Sequence, residues 1–326
     1  MKICIYGAGA IGGFLGAHLG AAGHAMSAVA RGATLDALTA HGLRIEMGSA
    51  MVQAPVHAST DARNLGPQDL VIIAVKGPAM AAVAAGIAPL LHSETMVLTA
   101  MNGVPWWFFA GMPGPLADAR LDTLDPDGTI EAAIPSHHVI GCVVHASCTM
   151  PAPGLARHVV GNGLIVGEPA GGTTPRVVHL ARILAEAGFE SRVAPRIQQD
   201  LWYKLWGNMT MNPVSALTGA TCDRVLDDPL VLAWTDAMMR EAAAVGDAIG
   251  CPIAQSPADR HAITRKLGAF RTSMLQDVDA SRPLEIDALL AAVREIALRV
   301  GVATPNLDAL LGLTRLFART RGLYPG

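Results

Sequence analysis

Lys2-Ile3-Cys4-Ile5-Tyr6-Gly7-Ala8-Gly9-Ala10-Ile11-Gly12 is the stretch on which the fold turns. Its first residues are a short, mostly apolar run of the kind that forms a strand buried on both faces. Gly7, Gly9 and Gly12 follow at G-x-G-x-x-G spacing, Phe14 to Ala22 carries helical spacing, and Gly23-His24 closes the helix. The glycine spacing alone is a weak signal, but directly after a strand and at the head of a helix it reads as a dinucleotide-binding turn. Gly7 permits the tight turn, Gly9 lets backbone approach a pyrophosphate, and Gly12 lets helix and strand pack closely while the helix N-terminus faces the phosphates. The cofactor-binding candidates here are Gly7, Ala8, Gly9, Ala10, Ile11 and Gly12.

Outward from this turn, strand and helix alternate. Ala25 to Ala30 reads as a second strand, and Thr34 to His41 as a helix with Thr34 as its cap and Gly42 at its end. Leu70 to Val75 is a buried strand, Pro78 to Leu91 a helix, and Thr95 to Ala100 a further strand. Alternation with continuously apolar strands predicts a parallel, doubly wound sheet. From Pro105 to Pro135, prolines and glycines break the pattern into a long irregular excursion that holds Trp106-Trp107-Phe108-Phe109. Val139 to Cys148, Arg157 to Val160 and Gly163 to Gly167 read as later, antiparallel strands, and Thr174 to Ala187 as a helix. After Pro195 only helical patterns remain: Arg196 to Leu217, Pro229 to Ile249, Pro257 to Gln276, Leu284 to Val300 and Leu307 to Arg321. The expected fold is an α/β N-terminal Rossmann-type doubly wound sheet over 1–195, followed by an all-helical C-terminal domain over 196–326.

Composition agrees with two domains. The chain has 326 residues, of which 51% are hydrophobic and 16% charged, against a usual charged share of about 25%. That excludes intrinsic disorder. A net charge of −3 argues against nucleic acid or an anionic membrane as partner, since both call for a basic face. The five cysteines are scattered with no C-x-x-C, which suits reduced thiols in the cytoplasm. No metal site is expected, because the only close pairs are Cys142/Cys148 and His137/His138. Lys2 and the apolar stretch to Ala25 loosely imitate a signal peptide, but six glycines from Gly7 to Gly20 fit the nucleotide turn better. The apolar run Ala79 to Leu91 contains Pro89 and is too short to span a bilayer.

The end of the second strand points to the cofactor. NAD-preferring folds place an acid there for the ribose 2′-hydroxyl. This chain has none before Asp36; Arg31 holds the position instead, and a guanidinium suits the 2′-phosphate of NADPH. Lys76 and Asn102 each follow a strand, at the carboxyl edge where ligands bind in such sheets, and join the cofactor candidates. In the helical half, Lys204, Asn208 and Asn212 recur every four residues and so share one helix face. A solvent-facing stripe usually carries several charges and ion pairs; over Lys204, Asn208 and Asn212 this one has one charge and two amides. It reads as a polar stripe facing a cleft. On physical grounds alone, Ser273 is a cap or turn residue and Glu285 a first-turn acid.

These segments together resemble the ketopantoate reductases (2-dehydropantoate 2-reductases). The resemblance runs nearly end to end: K-I-C-I-Y-G-A-G-A-I-G, Arg31, Val75-Lys76, Asn102-Gly103, W-Y-K-L-W-G-N from Trp202 with Asn212-Pro213, S-M-L-Q-D from Ser273, and E-I-D from Glu285. It implies a cytoplasmic oxidoreductase of pantothenate biosynthesis that uses NADPH to reduce a 2-keto acid. It also implies that Lys204 is the general acid, with Glu285 in the catalytic set, and that Asn102, Asn208, Asn212 and Ser273 position substrate. Two departures stand out. Short family members lack the Pro105–Pro135 excursion, and Cys222 stands near where some members carry a substrate-binding asparagine. Two alternatives follow: a bulkier 2-keto acid, with at least one of Trp106, Trp107 and Phe108 lining its pocket, or a non-catalytic NADPH-binding regulator. The apolar helices leave room for a homodimer.

Overall fold

The computed structural model describes residues 1–325 and divides into two compact units: 1–101 with 127–197, and 102–126 with 198–326. No helix among the described residues is long and apolar enough to cross a membrane.

The first unit is a ten-stranded sheet with helices. Its strands are β1 (Lys2–Tyr6), β2 (Ala25–Val29), β3 (Leu43–Met47), β4 (Ala50–Ala54), β5 (His57–Ser59), β6 (Leu70–Ile73), β7 (Met96–Thr99), β8 (Val139–Ala152), β9 (Leu155–Gly167) and β10 (Glu190–Val193). Its helices are α1 (Ala10–Ala21), α2 (Gly32–His41), α3 (Met80–Gly86), α4 (Thr129–Ala133) and α5 (Pro175–Glu186). The strand order runs β4-β3-β9-β8-β7-β6-β1-β2-β5, with β10 beside β9. Within it, β5-β2-β1-β6-β7-β8 is parallel throughout and has the 3-2-1-4-5-6 order of a dinucleotide-binding sheet. The strand order reverses at β1, the strand that feeds the glycine turn. Ile3, Ile5, Leu70, Ile72 and Leu98 are fully buried, as continuous apolar strands in a doubly wound sheet must be.

Several local expectations are corrected. Three strands fall at 43–59, where none was expected. Leu43 and Ile45 are buried while Arg44 is half-buried, a period-two signal in a short hairpin that pairs β3 with β4. The expected helix at 78–91 is a short α3 flanked by 3₁₀ turns at Gly77–Ala79 and Ala88–Leu90; Pro78 and Pro89 cannot donate to a helical ladder. The first residue of α2 is Gly32, so Arg31 and not Thr34 is its N-cap.

The second unit is helical: α6 (Ile197–Thr218), α7 (Cys222–Asp227), α8 (Pro229–Ala248), α9 (Pro257–Arg265), α10 (Ser273–Asp279), a π-helical turn at Asp287–Ala291, α11 (Ala292–Arg299) and α12 (Pro305–Thr320). The expected helix over 257–276 is therefore two helices, with Gly268 at φ +62° in the break. Trp202 and Trp206 are fully buried on α6 and donate their indole N–H groups to Ala242 O (3.3 Å) and Met239 O (2.7 Å) of α8.

The segment 102–126 groups with this unit, although the sequence suggested a single break near 195. Its ties explain why. Gln198 Nε2 donates to Phe108 O (3.1 Å), the Phe108 ring lies 6.0 Å from Trp202, and Glu295 accepts from the backbone N–H of Asp122 and Thr123 (2.9 and 2.8 Å). Trp106, Trp107, Phe108 and Phe109 are all buried, and Phe108 and Phe109 meet edge to face with centroids 5.0 Å apart. At least Phe108 thus serves the packing of the helical unit.

Candidate active site

Two sites stand out, one in each unit. In the first unit a cavity of about 670 Å³ opens at the carboxyl ends of β1, β2 and β6. Gly7, Ala8 and Gly9 line it from the turn after β1, Arg31 from the end of β2, and Lys76 from just beyond β6. Gly7 has φ +98°, a conformation that L side chains rarely adopt. A Cβ on Gly12 would lie 2.1 Å from Gly7 O, so the close crossing of helix and turn excludes any side chain there. At Gly9 the only neighbour of such a Cβ is the Met150 sulfur at 3.9 Å, which leaves room above the turn. The first backbone N–H groups of α1 lack intrahelical partners, and no acid lies in its first turn.

Of the turn residues expected to bind cofactor, Ala10, Ile11 and Gly12 begin α1 and do not line the cavity. Two cationic residues and, among the described residues, no acidic one line it. The charge of its lining suits the phosphates of a dinucleotide. Among the lining residues that escaped the sequence are Tyr6, Thr34, Thr60 and Met150. Thr60 follows β5, a strand too short to read, and Met150 lies near the tip of the β8–β9 hairpin, just beyond the strand end that the sequence suggested.

In the second unit the polar stripe on α6 is real. Lys204 and Asn208 are half-buried, each followed by a buried residue, Leu205 and Met209. Lys204 Nζ donates to Asn102 Oδ1 at 2.9 Å, so Asn102, expected at the cofactor, is brought to the lysine. Its loop is fixed on its far side. Val104 N donates to Ala288 O (2.8 Å) in the π-helical turn, and a Cβ on Gly103, which has φ +81°, would lie 2.6 Å from that oxygen. A π turn of this kind is rare and often marks a functional site.

Asn212 Nδ2 lies 3.5 Å from Ser273 Oγ, at the limit of a hydrogen bond. Ser273 is not a cap: Thr272 accepts from Leu275 N (3.2 Å) and frees the serine hydroxyl. Glu285 sits just before the π turn, its carbonyl accepting from Leu289 N (3.3 Å). Cys222 begins α7 as a buried thiol, pushed up to about 11 by burial and then by Asp223.

The profile of the family described as "Ketopantoate reductase PanE/ApbA" matches residues 3–171, and its C-terminal counterpart matches 196–318. A 2-dehydropantoate 2-reductase of Mesorhizobium japonicum is 44% identical over 99% of this chain and 100% of its own length. The chain belongs to the ketopantoate reductase family. A Ralstonia solanacearum structure assigned to the ketopantoate reductases is 59% identical, covers 99% of both chains and superposes with a TM-score of 0.95. A D-mandelate dehydrogenase bound to NADH and anilino(oxo)acetate shares the fold at a TM-score of 0.83 and 20% identity, covering 99% of this chain and 100% of its own. In this ketopantoate reductase-family chain the helical unit thus gathers Lys204 with Asn102 and Asn212 with Ser273, whereas Arg31 and Lys76 belong to the cavity of the sheet.

Proposed function

We propose that the protein is an NADPH-dependent 2-keto-acid reductase whose substrate is ketopantoate and whose product is pantoate, within pantothenate biosynthesis. The observation that carries this reading is the Lys204–Asn102 hydrogen bond, because it aims an ammonium group without neutralising it. An ammonium has three N–H donors, and the Asn102 carbonyl, a neutral acceptor, fixes the direction of one of them. NADPH, when bound, supplies the hydride that adds to the ketone carbon. Lys204 donates a proton to the ketone oxygen as negative charge develops there, and its own charge stabilises that oxygen. Asn208, Asn212 and Ser273 hold the substrate's polar groups without adding negative charge. Glu285, at the head of the π turn, positions substrate and cofactor.

Arg31 and Lys76 would take the cofactor's phosphates, with Arg31 on the 2′-phosphate and the glycine turn beneath the pyrophosphate. Asn102 also serves the cofactor side of the substrate. A homodimer, as for the dimeric ketopantoate reductase of Staphylococcus aureus, belongs to the same reading; the exposed Leu313 and Leu316 of α12 offer it apolar surface.

The test is oxidation of NADPH and of NADH across a panel of 2-keto acids, including ketopantoate and phenylglyoxylate, the latter for the bulkier class. Ketopantoate with NADPH should have the highest kcat/KM. A higher value for an aryl keto acid would move the substrate to that class, and NADPH binding without turnover of any acid would make the protein a sensor.

A further inference from the structure

The stripe on α6 has a flank that the reaction as described leaves unused. At about 100° per residue, with Lys204 as origin, Asn208 and Asn212 lie about 40° and 80° to one side, and Gln198, which holds Phe108, about 120°. Trp202 and Trp206 point backward to α8. On the other side Tyr203 and Gly207 lie about 100° and 60° from the lysine, and there α9 lays Arg260 across α6. Its guanidinium carbon is 5.2 Å from the Tyr203 ring centroid. A Cβ on Gly207 would fall 2.7 Å from Arg260 Nε and 2.9 Å from Nη2.

Two features of this contact are costly. Glycine inside a helix is destabilising relative to alanine, and the nearest atoms that a side chain at 207 would meet all belong to the Arg260 guanidinium. The arginine itself is half-buried, and its Nε is buried with no acceptor among the described residues. The acids near it are engaged elsewhere: Asp259 caps α9 with Ser256, and Asp236 faces Arg240 and His261. A cationic N–H buried with no acceptor is unfavourable until an anion arrives.

We propose that Arg260 binds the carboxylate of the 2-keto acid substrate, an inference that rests on the function proposed above. Hydride addition at C2 places a developing alkoxide beside the C1 carboxylate, and one ammonium cannot serve both. Lys204 protonates the first; Arg260, on the neighbouring strip of the same helix, holds the second through its planar fork. Gly207 is the space that lets the fork reach the stripe.

The experiment is steady-state kinetics of wild type, Arg260→Met and Gly207→Ala, each with the 2-keto acids that wild type reduces and with their neutral counterparts, ketopantoyl lactone or a methyl ester. Arg260→Met should raise KM for the acids about 10–100-fold, the usual range for losing a charge-assisted contact. It should leave the neutral compounds and NADPH within about threefold. Gly207→Ala, which favours the helix but displaces the guanidinium, should raise KM for the acids while the melting temperature holds or rises. Acid KM values within threefold of wild type, equal losses for acids and neutral compounds, or a rise in the NADPH KM instead would each overturn the assignment. Wild type that reduces no 2-keto acid would remove the proposed function itself, a result read from wild type alone and separate from the variant ratios.

Discussion

The cavity of the sheet unit and the polar face of the helical unit are built by opposite means. The cavity is made of backbone: a glycine turn, a helix start and the ends of three parallel strands, with only Arg31 and Lys76 adding charge. The helical face is made of side chains from three separate stretches, at 102, 204–212 and 273, held by tertiary hydrogen bonds. A backbone site follows from the fold and is insensitive to most side chains. A side-chain site fails when one supporting contact fails, even where the fold survives.

Breaking the support of the helical face should have the largest effect on stability. Trp202 is fully buried, packs near Phe108 and bonds to Ala242 O. Trp202→Ala should destabilise the protein by about 3–5 kcal/mol, measured by denaturant unfolding, and Phe108→Ala by a similar amount. Values under about 1 kcal/mol for both would return the aromatic segment to a role outside the core.

The cavity answers to charge. Arg31→Ala should weaken NADPH by about 10–100-fold, or about 1.5–3 kcal/mol, and leave NADH nearly unchanged, as read by fluorescence titration. Equal losses for both cofactors would dissociate Arg31 from the 2′-phosphate.

The smallest effect separates the units by pH. His18 in the first unit and His261 in the second both have pKa values lowered, in each case chiefly by burial. His18 Nδ1 donates to Ala187 O (3.2 Å), and Nε2 of each ring is buried without a hydrogen-bond partner among the described residues. A lowered folded pKa means that the unfolded chain takes up the proton first, so the stability it contributes is present above about pH 6.5 and is lost as pH falls below. The melting temperature should therefore drop between pH 7.5 and 5.5, and His18→Gln should flatten part of that slope. An unchanged slope would assign the pH response to other groups.

The same contrast decides what was legible in the sequence. The turn from Gly7 to Gly12, Arg31 and Lys76 sit at fixed offsets from strands, so periodicity located them. The Lys204 stripe was legible too, because helical spacing puts residues 204, 208 and 212 on one face. Its partners were not: Asn102 to Lys204 spans 102 residues of chain and Ser273 to Asn212 spans 61, and no local pattern encodes such a pairing. On local grounds Ser273 looked like a cap and Glu285 like a first-turn acid; only the family resemblance singled them out. The hairpin at 43–54 was passed over because its strands, LRIEM and AMVQA, mix polar with apolar residues and form no continuous apolar run. The aromatic run at 106–109 was recognised as needing burial, but its destination in the helical unit depended on Gln198 and Trp202, far along the chain.

The central claim is that the sheet unit holds the cofactor while Lys204 of the helical unit performs the proton transfer. One variant, read twice, tests it most directly: Lys204→Ala, titrated with NADPH and then assayed for ketopantoate reduction. The account predicts an NADPH affinity within about threefold of wild type and a kcat lowered by about 10²–10⁴, the usual share of a general acid. A near-normal kcat, or a loss of cofactor binding large enough to explain the loss of turnover, would contradict it.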